Sequence, residues 1–371
     1  MRLAEGRPKT LLLIPSYAKR GVEPDVAANL HPTMDYYALQ ARLDADLADY
    51  SSSDADRHPL VRAARLVGRD AALAAHGFLK APHYDVIFSN GENVGIPLAA
   101  LFALCRTRPG HVLIGHRLSP KKKAPFLRAL QTQMDAIFVY AATQKTYGED
   151  ILRIPGRKLH LIPFHADSRF YQPVPDARVE RRICSAGLEL RDYPTLIEAV
   201  RGLDVEVRLA AASPWSKRKN ETADRSLPPN VSARGYSYRE LRDLYASSQL
   251  VVVPLYENDF QAGVTTMLEG MAMGKAVIVS RASGQTDVVE HNVNGLYVPP
   301  GDPVALRGAI VRLLDHPEDA ARLGQAARQT IESTMSLDLW VERISHVIDD
   351  VWTAADAPGS GRNRARGRIA G

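Results

Sequence analysis

Short apolar or β-branched runs alternate along the chain with stretches whose apolar residues recur every three and four positions, and the alternation is laid down twice. The first half predicts strands at 10–14, 85–89, 111–115, 136–140 and 159–163. The second half predicts them at 182–186, 205–210, 231–234, 250–254, 276–279 and 296–298. Helical spacing covers 60–75, 195–200, 238–247, 264–272, 303–314 and 318–333. Strands separated by helices build parallel sheets, so the expected class is α/β, with two doubly wound Rossmann-like domains facing each other across a cleft. Ligands are then expected outside the carboxyl ends of the strands.

Tyr171-Gln-Pro-Val-Pro-Asp-Ala177 interrupts the pattern, because Pro173 and Pro175 forbid continuation of helix or sheet. The boundary is expected near Pro173, giving an N-terminal, acceptor-side domain over 1–172 and a C-terminal domain over 173–336. A last helix at about 337–357 is expected to return to the N-terminal domain, with Trp340 and Trp352 as packing residues. The remaining 358–371 carries Arg362, Arg364, Arg366 and Arg368 among Gly, Ser and Asn, and reads as a disordered basic tail. That tail supplies much of the net charge of +5, so the charge says little about the folded body.

A chain of 371 residues with 45% hydrophobic and 24% charged residues has the composition of a water-soluble protein. The apolar run Leu11 to Ile14 is too short for a signal peptide, and Cys105 and Cys184 sit in apolar settings suited to buried thiols in a reducing compartment. A cytoplasmic protein is expected, with peripheral membrane contact as the one departure considered below.

The segment from Val251 to Ser280 is the most informative and reads as strand, loop, helix, strand. Its loop closes on Gly263, and the helix begins near Val264 or Thr265. Backbone amides of Gly263, Val264, Thr265 and Thr266, with the helix dipole behind them, form a site for a pyrophosphate. Glu269 lies about one turn further in, where a carboxylate can accept hydrogen bonds from two adjacent ribose hydroxyls.

This segment resembles the retaining GT-B glycosyltransferases of the group 4 family, whose hallmark is two glutamates separated by seven residues. Glu269 matches the second, and Gln261 stands where the family has the first. Ser280-Arg-Ala-Ser-Gly-Gln-Thr-Asp-Val-Val-Glu290 and Phe164-His-Ala-Asp-Ser-Arg-Phe-Tyr-Gln-Pro173 resemble the family's closing loop and interdomain segment. In Gly187-Leu-Glu-Leu-Arg-Asp-Tyr193 the family's arginine position holds Leu188, while Arg191 matches its lysine. The glycine-rich acceptor loop is absent from Pro15-Ser-Tyr-Ala-Lys-Arg-Gly21, and His116 resembles the family histidine that approaches the donor sugar.

The resemblance implies a nucleoside diphosphate sugar as donor, an unidentified hydroxyl acceptor, retention at the anomeric carbon, and no metal or other cofactor. Glu269 would hold the ribose, the amides and Arg191 the diphosphate, and Gln261 with His116 the hexose. Each residue also has a plainer reading: Glu269 as a solvated helix carboxylate, Gln261 as a loop residue, Arg191 as a surface ion pair with Glu189 or Asp192, His116 as a strand-end histidine. Asp54-Ala-Asp56 has the spacing of a metal-binding aspartate pair but lies in a serine-rich loop. Lys121-Lys-Lys-Ala-Pro-Phe-Leu-Arg-Ala-Leu130 fits a helix resting on an anionic membrane surface as well as a solvated charged face. Asn220-Glu-Thr fits a glycosylation triplet that a cytoplasmic protein would not use. Nucleic-acid binding is disfavoured, since no recognition motif interrupts the sheets. A sugar-nucleotide epimerase and a non-catalytic sugar-nucleotide-binding partner remain as alternatives.

Overall fold

The computed structural model describes residues 6–175, 177–211 and 227–356; the basic tail and the Asn220 triplet lie outside them. It forms two compact units. One contains the chain up to Gly21, Met34–Ile162 and the chain from Val341; the other contains Val22–Thr33 and Pro163–Trp340.

The first unit is built on β1 (Thr10–Leu13), β2 (Asp46–Ala48), β3 (Val86–Ser89), β4 (Gly110–Gly115), β5 (Ala136–Val139) and β6 (Leu159–Leu161). They form one parallel sheet in the order β2-β1-β3-β4-β5-β6. The chain turns from one side of β1 to the other between β1 and β3, and a crevice at their carboxyl ends follows from that reversal. The short strand β2 escapes a reading by hydrophobic runs because only Leu47 and Ala48 in it are apolar. The helix expected at 60–75 is two helices, Pro59–Val67 and Arg69–Lys80. Gly68, at φ 155°, is the break: no helical residue adopts that torsion.

The second unit contains β7 (Arg182–Ala186), β8 (Glu206–Ala210), β9 (Val231–Arg234), β10 (Leu250–Val253), β11 (Ala276–Ser280) and β12 (Leu296–Val298). The parallel order is β12-β11-β10-β7-β8-β9, which reverses between β7 and β10. Helices cover both faces, so β10 is apolar at every position rather than at alternate ones. Val251 and Val253 pack with Met267, Leu268 and Met271 on one face. Leu250 and Val252 pack with Ile310 and Leu313 on the other. Each such side chain contributes roughly 1.5–3 kcal/mol through its burial, which holds the loops at the carboxyl edge on a rigid base.

The segment Val22–Thr33 is fastened to the second unit by its own contacts. His31 lies edge-on to Tyr238, Arg242 donates to the Asn29 carbonyl at 2.9 Å, and the Thr33 amide donates to Asp167 at 2.8 Å. The helix Leu337–Thr353 begins in the second unit, where Trp340 is buried against His165, and its residues from Val341 belong to the first, where Val351 lies over Gly110. Cys184 is buried, and burial pushes its thiol up to about 12; Cys105 is exposed, contrary to the expectation of a second buried thiol. Among the described residues no helix is long and apolar enough to cross a membrane.

Candidate functional site

The reversal between β7 and β10 brings the loops that follow them side by side. Arg191 pairs with Leu255 in an antiparallel bridge, the Asp192 amide donates to the Pro254 carbonyl at 3.0 Å, and the Tyr256 amide donates to the Leu190 carbonyl at 3.1 Å. These bonds fix the backbone of the first loop against the second.

Arg191 is buried, not the surface ion-pair residue that its acidic neighbours suggest. Its Nε donates to the Ala186 carbonyl at 2.7 Å, Nη1 to the Glu189 carbonyl at 2.9 Å and Nη2 to Thr266 Oγ1 at 3.1 Å. The Thr266 hydroxyl in turn donates a hydrogen bond to the Ala186 carbonyl at 3.2 Å. Burial pulls the guanidinium below its ordinary pKa, while Tyr193, Tyr245 and Glu269 act in the opposite sense. A guanidinium has five N–H donors, so this one retains donors beyond the three bonds that orient it.

The helix Val264–Ala272 starts at Gly263, which is left-handed at φ 78°. A Cβ there would fall 2.9 Å from Arg191 Nη1 and 2.8 Å from Val253 Cγ1, so glycine is required by torsion and by space together. The amides of Thr265 and Thr266 occupy the first helical turn, where no carbonyl within the helix can accept from them. Thr265 is exposed, whereas Val264 and Thr266 are buried. The positive end of the helix and the Arg191 guanidinium thus lie together at the carboxyl edge of the sheet.

One turn further in, Glu269 is 8% exposed, a burial that excludes the reading as a solvated carboxylate. Tyr245 donates to its Oε2 at 2.8 Å. The Tyr171 hydroxyl, also buried beside it, has no partner of hydrogen-bond geometry. Burial pushes the Glu269 carboxyl up to about 7, against the nearby hydroxyls of Tyr245 and Tyr171 and the charge of Arg191. Gln261 is likewise buried in the loop before Gly263. That loop is clamped from the β11 side: the Gly284 amide donates to the Asn258 carbonyl at 2.9 Å, and Gln285 Nε2 donates to the Ala262 carbonyl at 2.5 Å.

In the first unit His116, an exposed residue overall, follows β4 directly. Its amide donates to Glu92 at 2.9 Å, its ring lies 5.7 Å from that of Tyr140, and crowding by protein keeps its pKa below the ordinary imidazole value. Glu92 opens the helix Glu92–Phe102, is buried, and pairs with Lys123 at 2.5 Å. The basic run therefore divides: Lys123 is half-buried against Glu92, while Lys121, Lys122 and Phe126 are exposed. Asp54 accepts from the Tyr17 hydroxyl at 2.8 Å, and Asp56 pairs with His76 at 2.7 Å. Among the described residues no group of three or more His, Cys, Asp or Glu side chains is gathered to hold a metal.

Sequence reasoning passed over Tyr171, Tyr245 and Glu92. Tyr171 falls in the segment that interrupts the pattern and Tyr245 in the helix expected at 238–247, and nothing in their spacing announces a carboxylate partner. Glu92 carried a usable signal, an acidic residue opening a helix directly after Gly91 and a strand.

Comparison with known proteins bears on the same segment. Residues 185–316 match the family described as Glycosyl transferases group 1. The MMP alpha-(1->4)-mannosyltransferase of Mycolicibacterium hassiacum is 32% identical over 183 residues, which are 46% of this chain and 43% of that protein. The D-rhamnosyltransferase WbpZ of Pseudomonas aeruginosa is 27% identical over 228 residues, 58% of this chain and 59% of that one. The chain spans about half the length of these two relatives. Among solved structures, Anabaena Alr3699/HepE in complex with UDP-glucose matches with a TM-score of 0.68 over 93% of this chain and 100% of that one. At 16% identity this is a likeness of fold, the GT-B pair of Rossmann-like sheets.

Proposed function

We propose, from the match of residues 185–316 to the family described as Glycosyl transferases group 1, that the protein transfers a sugar from a nucleoside diphosphate sugar to a hydroxyl acceptor, with retention at the anomeric carbon. The observation that carries this reading is the buried Glu269, one turn inside a helix whose N-terminus adjoins the Arg191 guanidinium at the sheet reversal. Glu269 accepts from the ribose hydroxyls. The amides from Gly263 to Thr266 and the free donors of Arg191 hold the diphosphate, while Gln261 and His116 contact the hexose. The bond from the anomeric carbon to the diphosphate oxygen breaks, the acceptor oxygen bonds to that carbon, and the departing diphosphate takes the acceptor proton. Charge compensation at the leaving group falls to Arg191 and the helix terminus. Asp54 and Asp56, the pair with metal-like spacing, are already committed to Tyr17 and His76.

HepE is described in complex with UDP-glucose, so uridine diphosphate sugars are the first donors to test. A ligand at a hundred times its dissociation constant stabilises by about 2.7 kcal/mol, which a thermal-shift panel of nucleoside diphosphates and their sugars resolves. A shift selective for one nucleotide, abolished by Glu269→Ala, supports the donor site; no shift with any of them removes it. The neutral Gln261 and Leu188, in positions where the family has charged residues, favour a second reading as a sugar-nucleotide-binding subunit. That protein would bind the nucleotide and turn over with no acceptor.

A further inference from the structure

The helix Pro59–Val67 uses one face for packing: Leu60, Val61 and Ala64 lie against Ala72, Ala75, Leu79 and Leu101. Its last two residues do not join them. Leu66 is 91% and Val67 85% exposed, side by side at the end of the helix. Arg62 stands one turn from Leu66 on the same face, and Arg57 and Arg69 flank the helix; all three are exposed. No acidic residue occurs from Arg57 to Arg69. The carboxylates that flank this stretch have partners of their own: Asp54 accepts from Tyr17 and lies by Arg65, Asp56 pairs with His76 at 2.7 Å, and Asp70 accepts from the Tyr50 hydroxyl at 2.6 Å. Arg69 lies over the ring of Tyr17, itself half exposed, which adds an aromatic face to the patch.

Topology gives the position. The helix Arg69–Lys80 leads back to the start of β3, so in a parallel sheet its N-terminus lies at the carboxyl ends of the strands. The loops after β1 and β2, joined by the bond from the Tyr50 amide to the Ser16 carbonyl, lie at that same edge. An apolar tip flanked by three exposed arginines matches an interface with an apolar interior and an anionic surface, the make-up of a bilayer rich in acidic headgroups.

We propose that Leu66 and Val67, with Arg57, Arg62 and Arg69, dock the protein on an anionic lipid surface, presenting the carboxyl edge of the first sheet to the headgroups. The proposal is independent of the donor-site reading and differs in place from the basic run at Lys121 and Lys122.

The test is co-sedimentation of the full chain with vesicles of phosphatidylglycerol and phosphatidylcholine, against vesicles of phosphatidylcholine alone. Binding is expected only to the anionic vesicles. Leu66→Ser with Val67→Ser, and separately Arg62→Glu with Arg69→Glu, should each weaken it by about tenfold, with unchanged circular dichroism and melting temperature. Lys121→Glu with Lys122→Glu, and serine in place of Arg362, Arg364, Arg366 and Arg368, should leave it within about twofold. Absence of binding by the native chain overturns the proposal, as does binding indifferent to Leu66 and Val67. Sedimentation velocity covers the other occupant: a dimer dissociated by the Leu66 and Val67 changes would assign the patch to a second copy of the chain instead.

Discussion

The Tyr245 hydroxyl donates at 2.8 Å to the Glu269 carboxylate, joining the helix Tyr238–Ser247 to the helix Val264–Ala272 inside the second unit. Both side chains are buried, so the bond is made where an unpaired carboxylate costs most. Tyr245→Phe should destabilise the protein by about 1–3 kcal/mol and weaken nucleoside diphosphate binding by letting Glu269 rotate. Urea unfolding and calorimetric titration read the two effects separately.

Glu269 also links stability to pH. Its folded pKa of about 7 lies above the ordinary 4.5, so the folded chain holds the proton more tightly than the unfolded one. Between those two values stability therefore falls as pH rises, by about 3 kcal/mol in all. Glu269→Gln should raise the melting temperature at pH 8 and not at pH 4.5. If the carboxylate receives ribose hydroxyls, nucleotide affinity in the native chain rises with pH through about 7, and the variant loses both the affinity and its pH dependence.

His111 acts in the opposite direction. It is buried in β4, with Nδ1 donating to the Gln133 carbonyl at 3.1 Å and Nε2 accepting from Ser89 at 3.1 Å. Burial, with the charge of Arg108, lowers its pKa to about 4. The unfolded chain takes up the proton first, near 6.5, so stability is full above that value and is lost as pH falls towards 4, by about 3 kcal/mol. His111→Asn should flatten the slope of unfolding free energy against pH over that window.

Gly284 has no room for a side chain: a Cβ would fall 2.2 Å from the Phe260 amide nitrogen. Gly284→Ala must push the loop 258–263 away from the loop after β11. A loss of about 3 kcal/mol or more is expected, with nucleotide affinity falling alongside because Gln261 and Gly263 move. Unchanged thermal unfolding would show that the two loops are not clamped.

Glu92→Gln should separate sugar positioning from nucleotide binding. The change removes the ion pair with Lys123 and weakens the hold on the His116 amide, both in the first unit. Under the proposed function kcat falls by about tenfold or more while the dissociation constant of the nucleotide stays fixed. Equal losses in both would assign Glu92 a structural role.

Hydrophobic patterning by itself determined the α/β class and most of the strands, because a strand buried on both faces must be apolar throughout, as Leu250–Val253 is. It also determined the strand-loop-helix around Gly263 and Glu269, where residue types and spacing have local causes. It did not determine β2, too short and polar to leave a period, nor the break at Gly68, where one torsion divides an otherwise continuous helical pattern. Only the tertiary structure decided that Arg191 is buried rather than paired on the surface, since two of its partners are backbone carbonyls that no residue identity advertises and the third, Thr266, is distant in the chain. The same holds for Tyr245 beside Glu269: 24 residues separate them in the chain, and packing alone brings the hydroxyl to the carboxylate. A sequence encodes local periodicity residue by residue, whereas burial and its consequences for charge arise only when distant segments close over one another.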